Sequence, residues 1–287
     1  MYCQEFLKIC RNEPAILARQ QLEFPKCNEM PEWRKGEVSI MKKSGSKKQE
    51  SNRKENNKKE NKKQDTGKLT EIVFILDRSG SMGGLESDTI GGYNSMLAKQ
   101  KKEDGKAIVT TVLFDDKIEI LHDRVELKKV KPITDKEYFV RGSTALLDAV
   151  GSTISHIRSV HKNTDDEEVP EKTLFIITTD GMENASREYT YDKVKQLVEK
   201  QKEKDHWEFI FLGANIDAVA VAGRFGVAAN RAVTYECDSA GTQLNFDVMS
   251  KMVSCARACG SARLMEEAFD DDAMLAPIQA DFKKRHK

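Results

Sequence analysis

Residues 71–82 read EIVFILDRSGSM, and they decide the fold. Between Glu71 and Asp77 every residue is β-branched, aliphatic or aromatic, which is typical of a strand buried on both faces. It passes directly into a short loop of Arg, Ser and Gly. Ligands of open parallel sheets bind beyond the carboxyl ends of the strands. The stretch therefore predicts a central strand with a binding loop at its end.

Similar apolar runs recur along the chain and predict further strands at Ala107–Asp115, Lys172–Thr179, Trp207–Gly213 and Ala232–Glu236. Lys117–His122 has the pattern of a hairpin partner for the second strand. Between the strands, apolar residues at helical spacing predict helices over residues 86–101, 144–161, 192–204, 216–225 and 241–258. Alternation of strands and helices predicts a doubly wound α/β fold, with a mainly parallel, Rossmann-like sheet and helices on both faces.

This alternating pattern assigns residues 68–260 to one α/β domain. The segment 42–67 has 10 Lys or Arg, 4 Asp or Glu, and no aliphatic or aromatic residue. Such a composition buries too little apolar area to offset the entropy of ordering, so a disordered basic linker is predicted. The C-terminal tail, residues 261–287, has a mixed pattern that leaves open an added helix or disorder.

Residues 1–41 contain three prolines and no sustained period, and we expect a weakly structured extension. Met41 is followed by two lysines, and residues 35–37 (KGE) can be encoded by a purine-rich, ribosome-binding sequence. Our hypothesis is that translation begins at Met41. A native peptide from residues 11–34, detected by mass spectrometry, would contradict it.

The net charge of zero is the sum of a basic linker and an acidic domain. The linker carries +6, whereas residues 68–287 carry 31 basic against 37 acidic residues, a net −6. An acidic body argues against a nucleic-acid-binding domain, which shows a basic footprint. No apolar run reaches the roughly 18 residues of a membrane span, and the first 30 residues lack the apolar core of a signal peptide. We therefore expect a cytoplasmic protein without a transmembrane segment.

Six cysteines without regular spacing do not form a disulfide framework, which fits a reducing compartment. Cys255 and Cys259 lie four residues apart in a predicted helix, where they share a face. Packing against the core is the interpretation that their spacing favours.

Oxygen-bearing side chains follow the predicted strands. Asp77, Ser79 and Ser81 occupy alternate positions, so in an extended segment they point the same way and can converge. Thr144 precedes a helix, and Asp180 follows the strand 172–179. Two carboxylates and three hydroxyls, without His or Cys, select a hard cation: Mg²⁺ first, with Mn²⁺ and Ca²⁺ as alternatives. Because two carboxylates at most offset the charge of the metal, an open position would attract a carboxylate from a partner.

Enzyme motifs are missing from the same loops. Gly105-Lys106 is followed by Ala107 and is not a phosphate-binding P-loop. None of the five histidines lies in these loops to act as a base. A metal-assisted phosphohydrolase with Asp77 as nucleophile remains an alternative. Hydroxyls dominate the site, however, and Arg78 is its only neighbouring cation, so we predict a protein that is not an enzyme.

Together these residues resemble the metal-ion-dependent adhesion site (MIDAS) of von Willebrand factor A-type (VWA) domains. The matching motifs are D-x-S-x-S at residues 77–81, Thr144, and Asp180 within TTDG; DRSGSM, GSTALLDA and TTDGMEN also look like bacterial intracellular members. The resemblance covers roughly residues 69–258. It implies that the Ser79, Ser81 and Thr144 hydroxyls bind Mg²⁺ directly, and that Asp77 and Asp180 act through water or orient the hydroxyls.

The resemblance further implies that a glutamate or aspartate of a partner protein completes the coordination of the metal. Arg78, Glu183 and Asn184 are candidates for the rim of the site, and for Glu183 and Asn184 we favour ordinary loop roles. The predicted function is a metal-dependent protein-binding module. An adaptor for an AAA+ ATPase or stress-response complex is a second hypothesis, and the phosphohydrolase is a third.

Overall fold

The computed structural model describes residues 68–270 and 272–287. The predictions for the extension 1–41, for the start at Met41 and for the linker 42–67 lie outside these described residues.

Within the described residues, strands and helices alternate along the chain. The strands are β1 (Thr70–Asp77), β2 (Ala107–Phe114), β3 (Ile118–Glu126), β4 (Lys172–Thr179), β5 (Glu208–Ala214) and β6 (Ala232–Tyr235). The α-helices are α1 (Glu86–Gln100), α2 (Leu146–Lys162), α3 (Tyr191–Asp205), α4 (Ala218–Arg224), α5 (Ser239–Ala258), α6 (Ala262–Phe269) and α7 (Ala276–Arg285). The predicted α/β class is confirmed.

All six strands form one sheet in the order β3-β2-β1-β4-β5-β6. β3 is antiparallel to β2, and the other neighbours are parallel. The chain winds outward from β1 through β2 and β3, and then returns to β4 on the other side of β1. The carboxyl ends of β1 and β4 therefore lie side by side where the winding direction reverses, which is where ligands bind in such sheets.

The two faces of the sheet are covered by different helices. Along β1, Ile72, Phe74 and Leu76 pack into one core cluster, and Val73 and Ile75 into the other. Helices α1, α5, α6 and α7 cover the first cluster, and α2, α3 and α4 cover the second. Since both faces are buried, β1 is apolar at consecutive positions rather than at alternate ones.

The tail, residues 261–287, forms helices α6 and α7. Met265 and Phe269 of α6 are buried in the first core cluster. The buried Arg231 binds the Glu266 and Phe269 carbonyl oxygens and so ties α6 to the start of β6. In the part of the chain that the structure describes, no helix is both long and apolar enough to cross a membrane.

Helices α1 and α5 approach closely at Gly92. A Cβ atom there would lie 2.2 Å from Cδ2 of Phe246, whereas one at the neighbouring Gly91 would meet nothing within 4 Å. We expect Gly92→Ala to lower the free energy of unfolding by about 1–3 kcal/mol through overpacking. Gly91→Ala, the matched control, should raise it by about 0.5–1 kcal/mol. Urea unfolding measures both, and equal effects would contradict the close approach.

Candidate metal centre

The Asp77 carboxylate joins the ends of two neighbouring strands. Its Oδ2 accepts a hydrogen bond from Thr179 Oγ1 at the end of β4, at 2.5 Å, and its Oδ1 accepts one from the Ser79 amide at 2.7 Å. The side chain is buried, and both of its oxygens are engaged. Asp77 therefore fixes the loop after β1 against β4.

Three hydroxyls and a second carboxylate lie beside it. Thr144 Oγ1 donates to Ser79 Oγ at 3.0 Å, and Ser79 Oγ lies 3.1 Å from Ser81 Oγ. Ser81 Oγ donates to Asp180 Oδ1 at 2.5 Å. Ser79, Thr144 and Asp180 are buried, whereas Ser81 is exposed. The structure thus brings all five predicted residues together, with an opening to solvent at Ser81.

Gly181 leaves space beside this cluster. A Cβ atom at this position would lie 3.1 Å from both Ser81 Oγ and Thr144 Oγ1. The absence of a side chain keeps these two oxygens uncovered on that side. A set made only of hydroxyl and carboxylate oxygens fits a hard divalent cation. Across the described residues, no group of three or more His, Cys, Asp and Glu offers another metal site.

Thr144 is positioned from the loop that follows Asp180. The Thr144 amide donates to Asn184 Oδ1 at 2.9 Å, and the Leu147 amide donates to Glu183 Oε2 at 2.9 Å. These amides belong to the start of α2, where backbone N–H groups have no partner within the helix. The side chains of the loop therefore act as the cap of α2 and hold Thr144 next to Ser79.

Asp148, in the first turn of α2, binds the same loop from the side of the helix. Its carboxylate accepts hydrogen bonds from three successive amides, those of Arg187, Glu188 and Tyr189, at 2.7–2.9 Å. The Asp148 amide in turn donates a hydrogen bond to Ser186 Oγ at 3.0 Å. Helix α2 and the loop 183–189 thus hold each other. From the sequence, Asp148 could be recognised only as an acidic residue in the first turn of a predicted helix.

Arg78 does not lie at the rim of the site. It is fully buried and binds Asp115 Oδ2 through Nε at 3.0 Å and Glu119 Oε2 through Nη2 at 2.8 Å. Glu183 and Asn184 turn their side-chain oxygens toward the start of α2, in keeping with the loop roles favoured for them.

Burial dominates the electrostatics of the site. It raises the pKa of Asp77 to about 6, against the hydrogen bonds from Ser79 and Thr179, and the charge of Asp180 adds to the rise. Burial also raises the pKa of Asp180. Two neighbouring carboxylates that are hard to ionise lack a counter-charge, which a bound cation would supply.

Cys237, which sequence analysis did not single out, borders the site. Its thiol donates to Asp180 Oδ2 at 3.7 Å. Burial, together with the charge of Asp180, raises the pKa of Cys237 to about 11. Cys237 is thus a neutral thiol at neutral pH, and it lines the side of Asp180 that faces away from Ser81.

No model of a known protein family matches the sequence, and no curated protein matches it. Solved structures do. Proximal thread matrix protein 1 from the mussel byssus, with a zinc-occupied MIDAS motif, is 14% identical over 65% of this chain and 46% of its own, with a TM-score of 0.43. A von Willebrand factor type A protein from Catenulispora acidiphila is 14% identical over 64% of this chain and 42% of its own, with a TM-score of 0.44.

The vWF domain of the type V pili tip protein Mfa5 from Porphyromonas gingivalis is 11% identical over 68% of this chain and 98% of its own, with a TM-score of 0.49. The chain spans less than half of the length of the mussel and Catenulispora chains. Two of these solved structures are von Willebrand factor A-type domains, and this chain is similar to them.

Proposed function

We propose that the domain is a non-catalytic protein-binding module that holds a divalent cation, Mg²⁺ first, and recognises an acidic residue of a partner protein. The observation that carries the proposal is the convergence of three hydroxyls and two carboxylates at the carboxyl ends of β1 and β4, open to solvent at Ser81. The oxygens of Ser79, Ser81 and Thr144 would hold the cation, with Asp77 and Asp180 orienting them.

The charge of the site supports a partner carboxylate. Asp77 and Asp180 together carry at most two negative charges, and the hydroxyl ligands are neutral. When bound, the cation supplies a Lewis-acidic centre with a position that the protein does not fill. A glutamate or aspartate side chain offers the hard oxygen and the negative charge that suit this position.

The hydrogen bonds of Asp77 argue for binding over hydrolysis. A nucleophilic aspartate needs a carboxylate oxygen directed at its substrate, but Oδ1 and Oδ2 of Asp77 are both occupied by donors from Ser79 and Thr179. The side chain is 1% exposed. Asp77 is therefore suited to holding the loop rather than to attacking a phosphate, which favours the binding module over the phosphohydrolase.

The test is an affinity capture from a lysate of the source cells, with the full chain as bait and salt high enough to suppress binding through the basic linker. We expect at least one protein to be captured with Mg²⁺ and lost with EDTA. Thr144→Val bait should fail to capture it, whereas Ser143→Ala bait, changed at the exposed neighbour, should succeed. Equal capture by all baits in EDTA would mean that recognition lies outside the site.

Two results would separate the alternatives. A captured AAA+ ATPase would make the module an adaptor for that machine. Hydrolysis of p-nitrophenyl phosphate by the purified chain, dependent on Mg²⁺ and lost in Thr144→Val, would replace the binding module with the phosphohydrolase.

A further inference from the structure

A second cluster of reactive groups lies at the amino end of β4, far from the candidate metal centre. Cys255 is in the last turn of α5, and Cys259 ends that helix. The Cys259 amide donates to the Cys255 carbonyl oxygen at 3.1 Å, which places the two residues one helical turn apart on the same face. The Cys259 thiol donates to the Leu264 carbonyl oxygen at 3.7 Å and interacts with the Cys255 side chain. Both side chains pack at the edge of the core and remain partly exposed.

Lys172, the first residue of β4, brings a positive charge to this pair. The residue is 2% exposed, and its Nζ donates to the carbonyl oxygens of Cys259 at 2.5 Å and of Arg257 at 3.1 Å. Among the residues that the structure describes, no carboxylate forms an ion pair with this ammonium group. A buried cation favours nearby anions. The Cys259 thiolate and the Glu171 carboxylate both raise the pKa of Lys172 and so can supply one.

The electrostatics of the two groups agree with this placement. The hydrogen bond with Cys255 lowers the pKa of the Cys259 thiol, and the Lys172 charge lowers it further, against burial. Burial lowers the pKa of Lys172, while the neighbouring Cys259 acts in the opposite direction. Thiolates beside a lysine are the cysteines that react with oxidants. The core-packing interpretation of Cys255 and Cys259 therefore accounts for only part of their surroundings.

We propose that Cys255 and Cys259 form a redox-active dithiol that hydrogen peroxide oxidises to an intramolecular disulfide. Cys259 Sγ, as the thiolate, attacks one peroxide oxygen; the O–O bond breaks, a sulfenic acid forms, and the leaving hydroxide takes up a proton as water. The Cys255 sulfur then attacks the sulfenic sulfur, the S–S bond forms, and the hydroxyl group leaves with the Cys255 proton as a second water. Two thiols are oxidised, and one peroxide is reduced to two waters.

The bond would form in the last turn of α5. A disulfide needs Cβ atoms about 3.5–4.5 Å apart, whereas residues four apart in a regular helix have them about 5–6 Å apart. The φ of Cys259 is still helical at −66°, and its ψ of 137° turns only the following chain away from the helix. Closing the bond therefore opens the hydrogen bond between the Cys259 amide and the Cys255 carbonyl oxygen, the last one of the helix. Gly260 leaves space for this movement, because a Cβ atom there would meet only a Leu264 methyl at 3.7 Å.

Trypsin separates the two cysteines, because Arg257 lies between them: one falls in MVSCAR, residues 252–257, and the other in ACGSAR, residues 258–263. Full-chain protein is reduced, treated with hydrogen peroxide, alkylated and digested. We expect the two peptides joined by a disulfide. In Cys255→Ser the disulfide cannot form, and a dimedone adduct on Cys259 should report the sulfenic acid. Absence of both products in the folded protein would overturn the proposal.

Alkylation rates of Cys259 at neutral pH, compared among variants, give a second test. Lys172→Met should slow the reaction of iodoacetamide with Cys259 several-fold, and Lys172→Arg, which keeps the charge, should restore it. An unchanged rate in Lys172→Met would contradict an activated thiolate. Neither test involves a metal or a residue of the candidate metal centre, so the outcome is independent of the proposed function.

Discussion

Thr144→Val is expected to abolish stabilisation of the protein by divalent cations. The substitution keeps the size of the side chain and removes the hydroxyl that lies 3.0 Å from Ser79 Oγ and borders the space beside Gly181. At a metal concentration about 100 times the dissociation constant, binding stabilises the folded state by about 2.7 kcal/mol. For a domain of this size that corresponds to a rise in melting temperature of about 5–10 °C.

Differential scanning fluorimetry with Mg²⁺, Mn²⁺ and Ca²⁺ measures this effect. The wild-type protein and the Ser143→Ala control should both be stabilised by at least one of the ions. Thr144→Val and Ser79→Ala should melt at the same temperature with and without metal. A full metal-induced shift in both variants would show that the cation binds elsewhere or not through these hydroxyls.

The five parallel strands could be predicted almost residue by residue, because each is buried on both faces. β4 begins and ends where the pattern KTLFIITT does, and β1 ends at Asp77 as predicted. The antiparallel β3 is largely exposed and runs on to Glu126, four residues past the predicted end at His122.

The helix after Thr144 begins later than predicted, at Leu146. The amides of Thr144 and Ala145 instead donate to Asn184 Oδ1 and to the Asp115 carbonyl oxygen. These bonds join residues 40 and 30 positions apart, so local periodicity does not reveal them.

The buried position of Arg78 follows from the same sequence pattern as the site. Alternate residues of an extended segment point the same way, which puts Asp77, Ser79 and Ser81 on one side. The same rule puts Arg78 on the other side, away from the candidate metal centre, where the structure has it paired with Asp115. Side-chain direction, and not adjacency in sequence, decides which residues can lie at the rim.

The tail shows a helical stripe only over a short span. The buried Ala262, Met265, Ala268 and Phe269 recur at helical spacing within the eight residues of α6. The acidic run 270–272 then interrupts the pattern. In the structure, core packing of Met265 and Phe269 holds α6 together with the Arg231 side chain, which reaches carbonyl oxygens at the end of that helix. Contact with Arg231 depends on tertiary structure and cannot be predicted from the pattern of the tail alone.

Arg78→Met is expected to destabilise the protein by about 3–5 kcal/mol, because it leaves a buried carboxylate short of a partner. The side chains of Arg78 and Asp115 are both 0% exposed, and Arg78 also binds Glu119 and the Glu137 carbonyl oxygen. Arg141 provides the matched control, because its Nε binds the same Asp115 Oδ2 at 2.7 Å from a side chain that is 39% exposed. Solvent screens that pair, so Arg141→Met should cost about 0–1 kcal/mol. Urea unfolding compares the two variants.

The pH dependence of the loss identifies its cause. Burial raises the pKa of Asp115, but hydrogen bonds from Arg141, the Lys117 amide and Arg78 outweigh burial, and the net pKa is lowered. A carboxylate with a lowered pKa stabilises the folded state above its unfolded value of about 3.9 and loses that contribution as the pH falls through its folded value. The difference between wild type and Arg78→Met should therefore be largest near neutral pH and shrink below about pH 4. A difference that stays constant down to acid pH would assign the loss to packing of the Arg78 side chain and not to its charge.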